Sequence, residues 1–220
     1  IADIEKDVRR TFPYLHFFQQ PHNDADRLDL LRSTHTVSGP RDESEGNIHY
    51  IALKRILFIW CKLNPGLSYV QGMNEIVGPI YYLFATDPRL SGEVRAIIRF
   101  KEQFFDGFSC TEHAEADAFF CFTNLMAEIR DNFCKSLDSS DMGIVNHIHQ
   151  VNELLKQKDY ELWRDLENKK LNPQFYSFRW LTLLLSQEFE LPDVLRLWDS
   201  LFSDTKRFEF LLYVCCAMLM

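Results

Sequence analysis

The chain has 220 residues with 24 basic and 32 acidic side chains, which gives a net charge of −8, and 46% of its residues are hydrophobic. A chain of this length can bury about 70% of its unfolded surface, and its apolar content excludes a mainly disordered protein. The sequence has no cluster of basic residues, and the acidic balance argues against nucleic acid as the principal partner.

Apolar residues recur three and four positions apart along much of the chain, which is the spacing of one face of an α-helix. In chain order these stripes are Leu53, Leu57, Trp60 and Leu63; Met73, Ile76, Ile80 and Phe84; Phe119, Phe122, Met126, Ile129 and Phe133; Ile144, Ile148, Val151 and Leu155; and Val194, Trp198 and Leu201. Alternating patterns typical of strands are absent. The sequence therefore predicts an all-α fold, a single multi-helix domain without a sheet.

Helix-breaking and helix-capping residues predict where several of these helices begin and end. Asn64-Pro65-Gly66 ends the first striped helix, and Asp87-Pro88 ends the second. Asp141 is placed to cap the helix that carries Ile144. Pro192 suits the first turn of the helix that carries Trp198, because proline is favoured there.

The segment from Pro21 to Asn47 departs from this helical pattern. It contains two prolines, two glycines, many charged residues and few apolar side chains. Such a length without periodicity is unusual for a connection within a compact domain. We therefore expect an exposed insertion at about residues 21–47, and no boundary between domains, because no separate core precedes it.

The chain starts at Ile1, within a predicted helix, and ends within the apolar stretch from Phe208 to Met220. That stretch is about half as long as a membrane span requires, so we expect a buried helix and no transmembrane segment. The sequence shows neither a signal peptide nor a lipid-anchor motif. We expect residues 1–220 to be one domain that is trimmed at both ends.

Residue patterns typical of metal centres and self-contained catalytic sites are missing from the sequence. The six cysteines lack the two-residue spacing of zinc and redox motifs, which favours buried, reduced thiols in a cytoplasmic protein. His147 and His149 are two positions apart and do not share a helix face. No HExxH, Gly-x-Ser-x-Gly or glycine-rich phosphate motif occurs. We expect no metal site, and no hydrolase or kinase activity of the chain's own.

Two short polar segments stand out instead, and the first runs from Ile4 to Arg10. Asp7 and Arg10 lie three positions apart, so on a helix the carboxylate can hold and orient the guanidinium. Taken alone, this pattern is also typical of an ordinary surface ion pair.

The second segment runs from Leu67 to Glu75 and follows the predicted helix breaker. Polar Gln71 and Asn74 stand at the start of an apolar helix, and Gly72 leaves room for another backbone to approach. Taken alone, a buried polar cap explains this pattern as well.

Taken together, the two segments resemble the TBC family of GTPase-activating proteins for Rab GTPases. They read Ile-x-x-Asp-x-x-Arg and, further along the chain, Tyr-x-Gln-Gly-Met-Asn. Other blocks that resemble the family are Arg55-Ile56-Leu57, Phe178-Arg179-Trp180, Glu188-Phe189 and the run from Leu191 to Phe202. Gln187 departs from the family pattern, in which arginine often precedes the Glu-Phe pair.

The resemblance implies a GTPase activator that completes the active site of its partner, and not an enzyme with its own substrate turnover. Arg10 would supply an arginine finger that Asp7 orients. Gln71 would position the attacking water, while Tyr69 fixes the turn. The other motif residues, which are expected to contact the GTPase or to serve as scaffold, are Arg55, Gly72, Asn74, Arg179, Trp198 and Asp199.

The resemblance also implies that the partner is a Rab GTPase in its GTP form and that GTP and Mg²⁺ belong to that partner. No cofactor is then expected on this chain. We expect a monomeric domain in the cytoplasm, recruited peripherally to membranes that carry the Rab. The alternative is a non-catalytic TBC-like scaffold that binds a GTPase or another partner. The presence of both Arg10 and Gln71 favours the catalytic interpretation.

Overall fold

The computed structural model of the chain describes residues 2–19, 47–86, 113–134 and 143–220. Within these ranges the regular elements are ten α-helices and one 3₁₀-helix, with no strand, which confirms the predicted all-α class. The chain divides into two compact units, Ile1–Phe120 and Cys121–Met220. The expected insertion lies outside the described residues apart from Asn47. That residues 1–220 form one domain trimmed at both ends stays a prediction.

The first unit contains three helices that contact one another. They are α1 (Ala2–Val8), α3 (Ile48–Leu63) and α4 (Met73–Thr86). The short helix α2 (His16–Gln19) follows α1 in the sequence, and the boundary between the two units falls within α5 (Ala114–Ile129). The mutual contacts of α1, α3 and α4 bring the two polar segments of the sequence into the same part of the molecule.

Helix α3 begins and ends at asparagines. The Asn47 side chain accepts hydrogen bonds from two backbone N–H groups of the first turn and donates one to the carbonyl of Phe18. At the other end, the N–H of Asn64 donates to the carbonyl of Trp60 at 3.0 Å. The helix therefore ends where the breaker predicts. Leu63, the last residue of the predicted stripe, is exposed, because it lies in the final turn beside the breaker.

Helix α4 packs closely against the chain that follows α1. A Cβ atom placed on Gly78 would lie 2.6 Å from Cε2 of Phe12, which is closer than side-chain carbons come. Glycine is therefore required where these two segments meet. Thr86 is the last described residue of the helix, and the stop predicted at Asp87-Pro88 lies outside the described residues.

The second unit is organised around α6 (Ile144–Lys158), whose buried face is the predicted stripe Ile144, Ile148, Val151 and Leu155. The elements that contact α6 are the 3₁₀-helix (Arg130–Phe133), α7 (Tyr160–Asn168), α8 (Gln174–Thr182) and α10 (Phe208–Leu219). Helix α9 (Leu191–Ser203) packs against α10 and buries Val194, Trp198 and Leu201, as predicted.

The ends of these helices agree with the predictions in part. Pro192 lies in the first turn of α9, as predicted. Gly143 is the residue before α6, whereas the predicted cap Asp141 lies outside the described residues. The stripe that ends at Phe133 is not one helix, because α5 ends at Ile129 and a 3₁₀-helix carries Phe133. The tighter three-residue turn still brings Phe133 to a buried position.

The five described cysteines confirm the expectation of buried thiols only in part, and Cys110 lies outside the described residues. Cys215 and Cys216 are buried in α10, whereas Cys61 and Cys134 are partly exposed and Cys121 is exposed. Cys121 precedes the buried Phe122 on α5, and successive helix residues point about 100° apart, so it faces away from the buried stripe. None of the helices in the described ranges is long and apolar enough to span a membrane.

Candidate functional site

The carboxylate of Asp7 joins the two polar segments. Its side chain is 9% exposed. Oδ1 accepts a hydrogen bond from Nη2 of Arg10 at 2.5 Å, and Oδ2 accepts one from the hydroxyl of Tyr69 at 2.8 Å. One nearly buried carboxylate therefore connects the end of α1 to the turn that leads into α4.

Arg10 lies just beyond α1 and satisfies carbonyl groups of its last turn. Its N–H donates to the carbonyl of Asp7 at 2.9 Å, and its Nε donates to the carbonyl of Lys6 at 3.3 Å. Such carbonyls have no partner within the helix itself. The Arg10 side chain is nevertheless 57% exposed. The predicted contact with Asp7 is confirmed, and it is more than a surface ion pair because the carboxylate is buried and shared with Tyr69.

Gln71 lies in the turn between α3 and α4, two residues after Tyr69. Its side chain is exposed, and within the described part of the chain its amide makes no hydrogen bond. Gly72 follows with a φ angle of 103°, a conformation that residues with a Cβ rarely adopt, so glycine permits this turn. The approach of another backbone expected at Gly72 stays a prediction.

Asn74, in the first turn of α4, ties the two segments together at a second point. The residue is buried, and its Nδ2 donates to Oγ1 of Thr11 at 3.0 Å and to Oε1 of Glu75 at 2.8 Å. The backbone carbonyl of Asp7 lies 3.4 Å from the same nitrogen. These polar groups form one network across two helices, which goes beyond the cap of a single helix.

Thr11 and Gly78 belong to this site, although neither is part of the two motifs that mark it in the sequence. Oγ1 of Thr11 donates to the carbonyl of Asp7 at 3.3 Å, and its Cγ2 lies 3.0 Å from the position that a Cβ of Gly78 would take. A glycine inside an apolar helix is a weak signal of such a close contact. The sequence gives no indication that the Thr11 hydroxyl belongs to the site, because its partner Asn74 is distant in the sequence.

Burial and the neighbouring charge act on the Tyr69 hydroxyl in the same direction. Burial is the main cause that raises its pKa above the ordinary tyrosine value, and the hydrogen bond to Asp7 and the charge of that carboxylate raise it further. The Tyr69 hydroxyl therefore stays protonated at neutral pH and acts as a hydrogen-bond donor. This agrees with the interpretation that Tyr69 fixes the turn and takes no part in proton transfer.

Comparison with known proteins places the chain in a family. The sequence profile of the Rab-GTPase-TBC domain matches residues 26–220. The chain belongs to the Rab-GTPase-TBC domain family. The matched range includes Tyr69, Gln71 and Asn74, whereas Asp7 and Arg10 precede it.

Individual relatives align over most of this chain. TBC1 domain family member 13 of Homo sapiens is 47% identical, over all of this chain and 60% of that protein. GTPase-activating protein GYP1 of Saccharomyces cerevisiae is 30% identical, over 91% of this chain and 30% of that protein. The crystal structure of the Ypt/Rab-GAP domain of Gyp1p matches with a TM-score of 0.62 and 27% identity, over 99% of this chain and 67% of that chain. The chain thus spans 60% of the length of its human relative.

Two arginines of the other TBC-like blocks have carboxylate partners. Arg55 on α3 donates through Nε to Oε1 of Glu115 at 2.8 Å and through Nη2 to Oε2, which ties α3 to α5 within the first unit. Arg179 on α8, in the second unit, donates through Nε to Oε1 of Glu188 at 2.7 Å. Both contacts agree with the scaffold interpretation of these arginines.

Trp198 and Asp199 are neighbours on α9 in the second unit, but their surroundings differ. Trp198 is buried, and its Nε1 donates to the carbonyl of Leu184 at 2.8 Å. Asp199 is exposed, and no ion pair to it is found in the described ranges. Trp198 therefore has the contacts of a scaffold residue, whereas the contacts observed in these ranges do not support that interpretation for Asp199.

The two histidines also have different surroundings. His147 is partly buried, with Nδ1 3.0 Å from Oδ1 of Asn132, and burial lowers its pKa. His149 is exposed. Among the residues that the structure describes, no group of three or more His, Cys, Asp or Glu side chains could hold a metal ion.

Proposed function

We propose that this chain accelerates GTP hydrolysis by a Rab GTPase in its GTP form, with Arg10 and Gln71 entering the partner's active site. Membership of the Rab-GTPase-TBC domain family supports the partner class. The observation that carries the mechanism is the Asp7 carboxylate, which bonds to Arg10 and to Tyr69, two residues before Gln71. Two exposed polar side chains thus come from segments that one buried group holds together.

Arg10 has the chemistry needed to stabilise the transition state of phosphoryl transfer. Negative charge spreads over the transferred phosphoryl oxygens, and an arginine supplied in trans raises the rate about 10³–10⁵-fold. The guanidinium is always charged, and its planar fork can bond two oxygens at once. More than half of the Arg10 side chain is exposed, so it can reach a docked partner, and Asp7 balances its charge before docking.

Gln71 supplies the second function, which is to orient the attacking water. An amide both donates and accepts hydrogen bonds and brings no net charge. The Gln71 side chain is exposed, and the positive φ of Gly72 shapes the turn that presents it. In this mechanism GTP and Mg²⁺ remain on the Rab, and the chain, in the cytoplasm at Rab-bearing membranes, adds only the two side chains.

The test is stimulated phosphate release from a panel of purified Rab GTPases loaded with GTP. We expect the unmodified chain to stimulate at least one Rab, and Arg10→Ala and Gln71→Ala each to lower that stimulation at least about a hundredfold. Arg9→Ala is the matched control, because Arg9 is the exposed neighbour of Arg10 and bonds to Glu5. Its stimulation should stay near that of the unmodified chain.

Two outcomes contradict the proposal. Full stimulation by a folded Arg10→Ala or Gln71→Ala chain would exclude the assigned role of that residue. Saturable binding to GTP-loaded Rab without hydrolysis above the intrinsic rate would instead establish a non-catalytic scaffold.

A further inference from the structure

Thr11 directly follows Arg10 and lies against α4. It is fully buried. Its Oγ1 donates to the carbonyl of Asp7 at 3.3 Å and accepts from Nδ2 of Asn74 at 3.0 Å. A hydroxyl can donate and accept at the same time. Thr11 therefore connects the backbone next to Arg10 to Asn74 in the first turn of α4. Asn74 lies three residues after Gln71.

The two segments of the site need more than one contact to hold a fixed geometry. The bond between Asp7 and Tyr69 is one contact, and the carbonyl of Asp7 lies at a longer distance, 3.4 Å, from Nδ2 of Asn74. The bond between Thr11 and Asn74 is a second contact at a different point. The Thr11 methyl also lies close to Gly78, since Cγ2 is 3.0 Å from the position that an added Cβ of that glycine would take.

We infer that Thr11 is a positioning residue whose hydroxyl sets the place of Arg10 relative to Gln71. This inference rests on the proposed function. Thr11 is buried and touches no partner itself, so it acts through Arg10. A misplacement of about 1 Å in a catalytic group can cost about a hundredfold in rate. The hydroxyl should therefore affect kcat, while the KM for GTP-loaded Rab changes little.

Two matched pairs of chains isolate the hydroxyl. Unmodified Thr11 and Thr11→Val differ in the hydroxyl at nearly constant volume, and Thr11→Ser and Thr11→Ala differ in it without the methyl. The probe is the Rab that the unmodified chain stimulates most in the panel. In each pair we expect the chain without the hydroxyl to have a kcat at least about tenfold lower than the chain with it. The KM values of the two chains in a pair should agree within about threefold. Equal kcat within both pairs would overturn the inference.

The double variant Arg10→Ala with Thr11→Val tests whether Thr11 acts through Arg10. If it does, the double variant should show the same residual stimulation as Arg10→Ala alone, because interacting residues are not additive. A further loss of the same size as in the single Thr11→Val chain would overturn the inference. Circular dichroism verifies folding, and if Thr11→Val does not fold, the Ser and Ala pair decides.

The same measurements separate this inference from the proposed function. If Arg10→Ala retains full stimulation, the proposed function fails whatever Thr11 does. If Arg10→Ala loses stimulation while Thr11→Val matches the unmodified chain, only the inference about Thr11 fails.

Discussion

The two units each hold an arginine that is paired with a carboxylate, and the two pairs look alike in isolation. In the first unit, Arg10 is 57% exposed and lies 2.5 Å from Asp7, which is 9% exposed. In the second, Arg179 is 58% exposed and lies 2.7 Å from Glu188, which is 14% exposed. Distance, exposure and charge therefore do not distinguish the arginine proposed to be catalytic from the one interpreted as scaffold.

The carboxylates distinguish the two pairs. Asp7 also accepts a hydrogen bond from Tyr69, and its backbone carbonyl accepts one from Thr11. Glu188 bonds through its side chain to Arg179 alone within the described ranges. The buried polar residues Asp7, Thr11 and Asn74 of the first unit are thus linked to one another beside Arg10, whereas the contact between Arg179 and Glu188 belongs to no such network in the described ranges. We infer that a shared carboxylate marks the functional pair.

Replacing each arginine by lysine should give the largest difference between the pairs. Lysine keeps the charge but lacks the planar fork. We expect Arg10→Lys to lower Rab-stimulated phosphate release by about ten- to a hundredfold. Arg179→Lys should stay within about twofold, because exposed pairs contribute little. An equal loss in both chains would mean that Arg179 also contacts the GTPase.

Removing each carboxylate should show a smaller contrast, measured as the free energy of unfolding in urea. We expect Asp7→Ala to lower stability by about 2 kcal/mol, because Arg10 loses its ion pair and the Tyr69 hydroxyl keeps only the longer contact, 3.4 Å, to Oδ1 of Asn74. Glu188→Ala should cost less than about 1 kcal/mol, since its partner can turn to solvent. Similar losses in both chains would remove the distinction between a shared and an isolated carboxylate.

The fold could be predicted from the sequence wherever the apolar period was regular. The stripe from Ile144 to Leu155 is buried as expected, since one face of a helix must pack against its neighbours. The apolar period did not show that the α-helix gives way to a 3₁₀-helix before Phe133. It also did not show that Cys121, next to a buried residue, is exposed. Those features depend on neighbouring elements and not on the local pattern.

The site could be predicted as far as its motifs extend. The spacing of Asp7 and Arg10 implied their contact, because residues three apart on a helix are neighbours. The link from Asp7 to Tyr69 and the bond between Thr11 and Asn74 join residues far apart in the sequence. They depend on the approach of α4 to the chain after α1, which Gly78 permits. Local spacing carries no information on such a tertiary contact.

A last prediction compares a buried thiol of the second unit with a tyrosine of the first unit in their response to alkaline pH. Burial raises the pKa of the Cys215 thiol, in the second unit, to about 12, against about 8.5 in an unfolded chain. Burial also raises the pKa of Tyr69, but from about 10. Both groups are favoured in the neutral form by folding. Their contribution to stability is complete below the unfolded pKa and is lost as the pH rises towards the folded one.

Cys215 should therefore respond at lower pH than Tyr69. Between pH 8.5 and 10, under reducing conditions, we expect its titration to lower the free energy of unfolding by about 1.5 kcal/mol. Cys215→Ala should lack this part of the decline. The cavity left by the thiol can lower the stability of this variant at all pH values, but it does not change the slope of the free energy of unfolding against pH, which is the quantity compared. Tyr69→Phe should keep the decline in that range and lose part of it only above pH 10. If Cys215→Ala shows the same slope as the unmodified chain, titration of the Cys215 thiol does not contribute to the loss of stability at alkaline pH.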